Sequence, residues 1–294
     1  MHGYPTDEWT RYGGLRMRVR NWGGEGRPVV LLHGLASTCR IWDLTAPILA
    51  RDFAVIAVDQ RGHGDSGKPE HGYDFASVGQ DVAALLEGRG IQRPVLVGHS
   101  WGADIALELA VARPGMLQGI VFVDGGTIDA SARYETLDDA LTQMAPPDFS
   151  GVTADQFLDR VRSGGQWATL IAQHGAPAEE IILANFETRD DGTLRAKLSR
   201  DNHLRIIRAL WEHHPREIYP HVSCPVLMMP ARQQANPDAY ERTLARSESI
   251  AAAESLLPNS KTVWLENSIH DVPVQRPELV AEIIREHILA GFFD

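Results

Sequence analysis

The chain has 294 residues, 44% of them hydrophobic, enough for one large α/β domain with an insertion or for two small domains. Its 39 acidic and 28 basic residues give a net charge of −11, and with no Lys/Arg block a nucleic-acid partner is excluded by long-range repulsion. No run of eighteen apolar residues occurs, the opening residues lack a basic segment followed by an apolar one, and Cys39 and Cys224 stand in no metal-ligand spacing, which predicts a cytoplasmic protein with no membrane partner, no metal, no cofactor and two buried free cysteines.

Up to about residue 126, short β-rich runs alternate with helical stretches. The runs Leu15–Trp22, Val29–Leu32, Ala54–Val58, Val95–Val97 and Ile120–Val123 are mostly continuous in apolar character, which predicts strands covered on both faces and a largely parallel sheet. Helices are predicted between them over Ile41–Ala50, Phe75–Glu87 and Gly102–Ala112. From about 127 to 215 the β signal disappears. SARYETLDDALTQM, TADQFLDRV, AEEIILANF and HLRIIRALWEHH are short amphipathic helices on this reading and predict an inserted helical cap. The alternation resumes with the strand Pro225–Met229, a helix near Tyr240–Ala253, the strand Thr262–Leu265 and a final helix over Pro277–Ala290. The expected organisation is an α/β core of residues 1–126 and 216–294 interrupted by a cap of residues 127–215.

At the end of the fifth run, VLVGHSWGAD sets Gly98, Ser100 and Gly102 in the spacing GxSxG between an apolar strand and a helix. In that context the glycines let strand and helix approach around a strained turn that projects the serine hydroxyl, whereas elsewhere the pattern would be an ordinary tight turn. A serine is a weak nucleophile and needs a neighbour to accept its proton. Among 12 histidines, His270 follows the last strand and precedes the last helix, at the sheet edge where open α/β folds bind ligands. His213 and His214 read as solvated helix-end residues.

With these motifs the chain resembles the α/β-hydrolase superfamily over nearly its whole length. LLHGLAS, residues 31–37, is similar to the oxyanion loop, which implies that the backbone N–H groups of Leu35 and Trp101 hold an oxyanion. VDQRGHGDSGKP, residues 58–69, resembles the loop after the fourth strand in epoxide hydrolases, dehalogenases and cofactor-free esterases. SIHDVPVQRPELV, residues 268–280, resembles the loop of the catalytic histidine, with Ile269 where relatives often have glycine. His33 and His99 fall at positions the family uses for packing and loop shape. The elbow is most similar to that of epoxide hydrolases, in which aspartate stands where Ser100 stands here. Attack by aspartate on an epoxide or haloalkane carbon gives an ester that water can cleave; attack by serine gives an ether, a dead end. The resemblance with serine in place therefore implies acyl transfer on a small to medium carboxylic ester or lactone, through an acyl-enzyme. Trp101 is expected to line an apolar pocket, with Met144, Phe157, Trp167 or Phe186 contributing. A carbon–carbon bond hydrolase or amidase is the alternative, and a ligand-binding pseudoenzyme or receptor on the same scaffold is the rival of another class.

The acid of the triad is the open question. Relatives often place it just beyond the seventh strand, where PVLMMPARQQ has Gln233 and Gln234 and no carboxylate. Asp238, four residues later, sits in an Asn-Pro-Asp turn or capping context. Asp124 ends the apolar run GIVFVD on the sixth strand, one strand spacing away, and ranks first, because a carboxylate closing a buried run needs a partner to offset its desolvation.

Overall fold

The computed structural model describes residues 4–233 and 237–294, with the side chains of 237–245 outside the description. In chain order it runs through β1 (Thr6–Tyr12), β2 (Leu15–Gly23), β3 (Pro28–Leu32), α1 (Ala46–Leu49), β4 (Ala54–Val58), α2 (Phe75–Gly88), β5 (Val95–His99), α3 (Trp101–Ala112) and β6 (Gly119–Val123). There follow α4 (Ala130–Arg133), α5 (Leu137–Gln143), α6 (Ala154–Arg162), α7 (Gln166–His174), α8 (Ala176–Leu183), β7 (Phe186–Thr188), β8 (Leu194–Ala196), α9 (Arg200–Glu212) and α10 (Pro215–Ile218). The chain then returns to the sheet with β9 (Val226–Met229), β10 (Ala231–Arg232), α11 (Pro237–Leu256), β11 (Ser260–Thr262) and β12 (Leu265–Glu266), and closes with α12 (Val272–Gln275) and α13 (Pro277–Leu289).

Eight strands form one sheet in the order β1-β2-β4-β3-β5-β6-β9-β11. Pairings from β4 to β11 are parallel, and β1 and β2 join antiparallel at one edge. The continuous apolar runs are explained by two cores: Val30, Leu32 and Leu96 pack on one face and Val29, Leu31 and Val97 on the other. Because the inner strands are parallel, their C-terminal ends share one edge, and Leu32, His99, Val123 and Met229 end there side by side.

Several predicted elements differ from what folds. The expected helix Ile41–Ala50 is a 3₁₀ turn, Cys39–Trp42, followed by α1, because Pro47 has no N–H to donate to the carbonyl four residues back. β1 carries only scattered apolar residues in TDEWTRY and pairs with β2 alone, so it had no buried run to betray it. The expected last strand, Thr262–Leu265, divides into β11 in the main sheet and β12, which pairs with β10. The segment between β6 and β9 is not all helix. β7 and β8 form an antiparallel hairpin around Asp190-Asp191-Gly192, with Asp191 Oδ1 accepting from the Thr193 N–H at 2.9 Å. The Asp-Gly pair was the available signal.

His213, expected in solvent, is buried. Its ring stacks on Phe75 at 4.2 Å, and its two nitrogens reach Glu108 Oε1 at 3.0 Å and Asp104 Oδ1 at 3.3 Å, both on α3. Burial opposes the charge, but the two carboxylates prevail and raise the pKa to about 9. Asp104 also accepts from the N–H groups of Gly126 and Ile128, so one buried cluster ties the end of α9 to α3 and to the loop after β6. Cys39 is buried as expected, whereas Cys224 is half-buried.

The folded pKa of His213 lies above the ordinary histidine value of about 6.5, so its contribution to stability is complete below that value and disappears as the pH rises through about 9. Urea denaturation across this window should show the unfolding free energy falling by up to about 3 kcal/mol. His213→Gln, which keeps a donor for Asp104, should flatten that slope.

Candidate active site

Ser100 sits between β5 and α3 at φ 52° and ψ −128°, a left-handed conformation that a side-chain-bearing residue adopts only under constraint. The constraint is close packing. A Cβ on Gly98 would lie 2.2 Å from the Gly102 carbonyl oxygen, and one on Gly102 would lie 2.6 Å from the His33 carbonyl oxygen. Only glycine at both positions lets α3 start against β5 and β3. Trp101 is the first residue of α3, so its N–H has no carbonyl partner within the helix.

Asp124 follows β6, also left-handed at φ 47°. Gly125 lies so close to the elbow that a Cβ there would meet the Ser100 carbonyl oxygen at 2.2 Å. The Asp124 side chain is 1% exposed and both of its oxygens accept hydrogen bonds. Oδ2 accepts from His270 Nδ1–H at 2.7 Å, while Oδ1 accepts from the Ala231 N–H at 2.9 Å and from Arg246 Nη1 at 2.7 Å. Burial raises its pKa, but His270, Arg246 and the Ala231 amide outweigh it and hold the carboxyl below its ordinary range. For His270, burial lowers the pKa and the Asp124 carboxylate overcomes it, leaving the imidazole raised.

The histidine loop is anchored from several sides. His99 Nε2–H donates to the His270 carbonyl at 2.8 Å, with the two rings 4.8 Å apart. Ile269 N–H donates to Gln275 Oε1 and Ser268 N–H to the Arg232 carbonyl. Among the described residues His99 Nδ1 has no partner, and burial pushes the ring pKa down to about 3, so His99 is neutral. His33 accepts from the Gln60 N–H at 3.0 Å and donates to the Gly34 carbonyl at 2.7 Å, which assigns it to loop shape.

Ser100 and His270 both line two cavities that meet between them. Among the described residues no hydrogen bond joins the two side chains. One cavity, of about 400 Å³, is bounded by the loop of Gly34 and Leu35 and by Met144, Phe157, Trp167 and Phe186. Phe149, Phe157 and Phe186 form an aromatic wall with ring centroids 4.8–5.8 Å apart. The expected contribution of Trp101 is corrected: its indole is 1% exposed, packs 5.3 Å from His63 in the core and lines neither cavity. The other cavity, of about 700 Å³, is bounded by Asp124, Arg133, Tyr134 and Arg246.

The structure thus brings Ser100, His270 and Asp124 to one sheet edge, with Leu35 on the first cavity. Gln234 and the Asp238 side chain lie outside the described residues, and Gln233 is exposed. Arg246 was missed. Its signal was indirect: a carboxylate closing a buried run calls for a cation, and α11 starts just after the adjacent strand. Among the described residues no cluster of three metal-ligating side chains occurs, and no helix is long and apolar enough to cross a membrane.

Residues 29–283 match the model of the alpha/beta hydrolase family. The chain is 37% identical over 101 residues to the soluble epoxide hydrolase of Corynebacterium sp. (strain C12), covering 34% of this chain and 35% of that protein. It is 36% identical over 170 residues to the haloalkane dehalogenase of Bradyrhizobium diazoefficiens, covering 58% and 54%. The match thus spans about a third to a half of these curated relatives. The crystal structure of E-2-(acetamidomethylene)succinate hydrolase superposes with a TM-score of 0.73 at 24% identity, covering 97% of this chain and 99% of that one.

The packing at the elbow sets a stability test. Gly102→Ala should destabilise by about 2–4 kcal/mol in chemical denaturation, because the clash is with backbone. Gly164→Ala, with nothing within 4 Å of the added carbon, should stay within about 0.5 kcal/mol.

Proposed function

The chain belongs to the alpha/beta hydrolase family, and from that premise we propose that it is a serine hydrolase cleaving a carboxylic ester or lactone through an acyl-enzyme. The observation that carries this reading is the identity of the nucleophile. A serine, not a carboxylate, stands on the strained turn at the junction of two cavities, beside a histidine already bonded to a buried carboxylate. On an epoxide or haloalkane carbon this serine would end as an ether; on an acyl carbon it forms an ester that water can cleave.

In the proposed mechanism Asp124 accepts the Nδ1–H of His270, which fixes the tautomer and leaves the Nε2 lone pair free for the Ser100 proton. Oγ then attacks the carbonyl carbon, and the developing oxyanion is received by the N–H groups of Leu35 and Trp101. The His270 imidazolium, stabilised by Asp124, returns its proton to the leaving oxygen. Water repeats the cycle in reverse on the acyl-enzyme, with His270 again as base. No cofactor enters these steps. Residues 127–215 act as a cap whose aromatic wall keeps the apolar arm of the substrate out of water. With the acid supplied by Asp124, glutamines at 233 and 234 are compatible with catalysis.

Ser100→Ala should abolish ester turnover and labelling by a fluorophosphonate, and simple epoxides and haloalkanes should yield no diol or halide with either protein. Asp124→Asn should lower kcat by about 10⁴, while Asp238→Asn stays within about tenfold. Since Asp124 raises the His270 pKa, the rising limb of kcat/KM against pH should lie above the ordinary histidine value in the wild type and move to lower pH in Asp124→Asn. Near-normal rates in both aspartate variants would rule out a carboxylate-oriented base.

A further inference from the structure

The larger cavity beside Ser100 differs from the aromatic one in what it offers a ligand. Two carboxylates among the described residues line it, and both already hold partners within the protein. Both oxygens of Asp124 are engaged as described. Asp129 caps α4, accepting at Oδ1 from the Ala132 N–H at 3.0 Å and from the Ser131 hydroxyl at 2.7 Å, and its Oδ2 lies 3.8 Å from His214. The cations are in the opposite condition. Arg246 spends Nη1 on Asp124 and on the Ala231 carbonyl, at 2.7 and 2.8 Å. Its Nε and Nη2 donate to nothing among the described residues, and the side chain is 39% exposed. Arg133 is exposed, stacks over the Tyr134 ring at 5.3 Å and has no carboxylate partner among the described residues. The Tyr134 hydroxyl is likewise unbonded among them. Among the described side chains that line this cavity, the two arginines keep N–H groups to spare and Tyr134 adds a neutral donor, while the two carboxylates already hold partners within the protein.

From this arrangement we infer that the larger cavity is a carboxylate subsite: the substrate has one apolar arm for the aromatic cavity and one arm ending in a carboxylate, held by Arg133, Tyr134 and the free edge of Arg246. A planar guanidinium presents paired N–H donors that match the two oxygens of a carboxylate, and such charge-assisted bonds are about twice as strong as neutral ones. The inference rests on the hydrolase reading above, since it takes the cleaved bond to lie at Ser100, between the two cavities.

Two matched pairs of esters test it. In 4-carboxyphenyl hexanoate and 4-carbamoylphenyl hexanoate the charge is on the alcohol arm, and in phenyl hydrogen adipate and phenyl adipamate it is on the acyl arm. In at least one pair the wild type should favour the carboxylate in kcat/KM by about tenfold or more. Arg133→Ala should bring that ratio close to one, and Arg133→Lys should restore part of it. Equal rates within both pairs would overturn the subsite and leave the acyl-enzyme reading standing. Loss of all turnover together with no labelling of Ser100 would overturn the hydrolase reading instead. Calorimetric titration of Ser100→Ala with 4-hydroxybenzoate and 4-hydroxybenzamide then decides the subsite independently: tighter binding of the anion, lost in Ser100→Ala/Arg133→Ala, supports it, and equal or weaker binding of the anion refutes it.

Discussion

The site is organised by one buried carboxylate. Asp124 lies at the tip of β6 with 1% of its side chain exposed, and an ion of that size taken from water without compensation costs several kcal/mol. The compensation comes from three separate parts of the chain: the His270 ring, the Arg246 guanidinium and the Ala231 amide. Each must arrive in register for the others to be worth burying. The amide comes from the start of β10: β9 pairs with β6 residue for residue up to Val123 and Met229, which brings Ala231, two residues beyond Met229, within reach of the aspartate. α11 supplies the cation, and the loop before α12 supplies the imidazole.

The elbow and the histidine loop are held by the same kind of economy of space. Ser100, at the end of β5, is followed by a helix that glycines admit against the sheet, and preceded by His99, whose ring donates to the backbone of His270. That bond fixes the main chain of the loop, while Asp124 fixes the ring. Two neighbours in the sheet, β5 and β6, therefore determine where His270 stands relative to Ser100, and the left-handed backbone at both Ser100 and Asp124 is the local cost of turning both side chains toward one edge.

How much of this was legible depends on where each contact is encoded. The parallel sheet and the elbow are local: continuous apolar runs and GHSWG carry them without reference to distant residues. That His270 and Asp124 meet at one sheet edge was legible one step further, from their places at strand ends. β1 and the β7–β8 hairpin were not seen, because they are short and half-exposed, and the hydrophobic period of a buried strand is absent from them. The burial of His213 was hidden for another reason. A histidine at the end of an amphipathic helix looks solvated until Asp104 and Glu108, more than a hundred residues earlier, are brought beneath it. Trp101 misled in the opposite direction: adjacency to the nucleophile suggested a cavity wall, but the first residue of α3 points its indole into the core.

Arg246 belongs to this last class of long-range features, and it gives the site a balance that neither partner has alone. The Asp124 carboxylate favours the imidazolium form of His270, and a positive charge on the same carboxylate disfavours it. Without a cation, the buried aspartate would be stabilised only by His270 and the Ala231 amide, which would draw the histidine toward its protonated form and leave less of it neutral near pH 7. With Arg246 on Oδ1, the ionised carboxylate has a second charged partner besides the histidine, so Oδ2 can hold the ring in one tautomer while the Arg246 charge opposes the rise in the His270 pKa. At the tip of β6 the carboxylate holds the histidine loop, and the neighbouring strand end contributes the Ala231 amide.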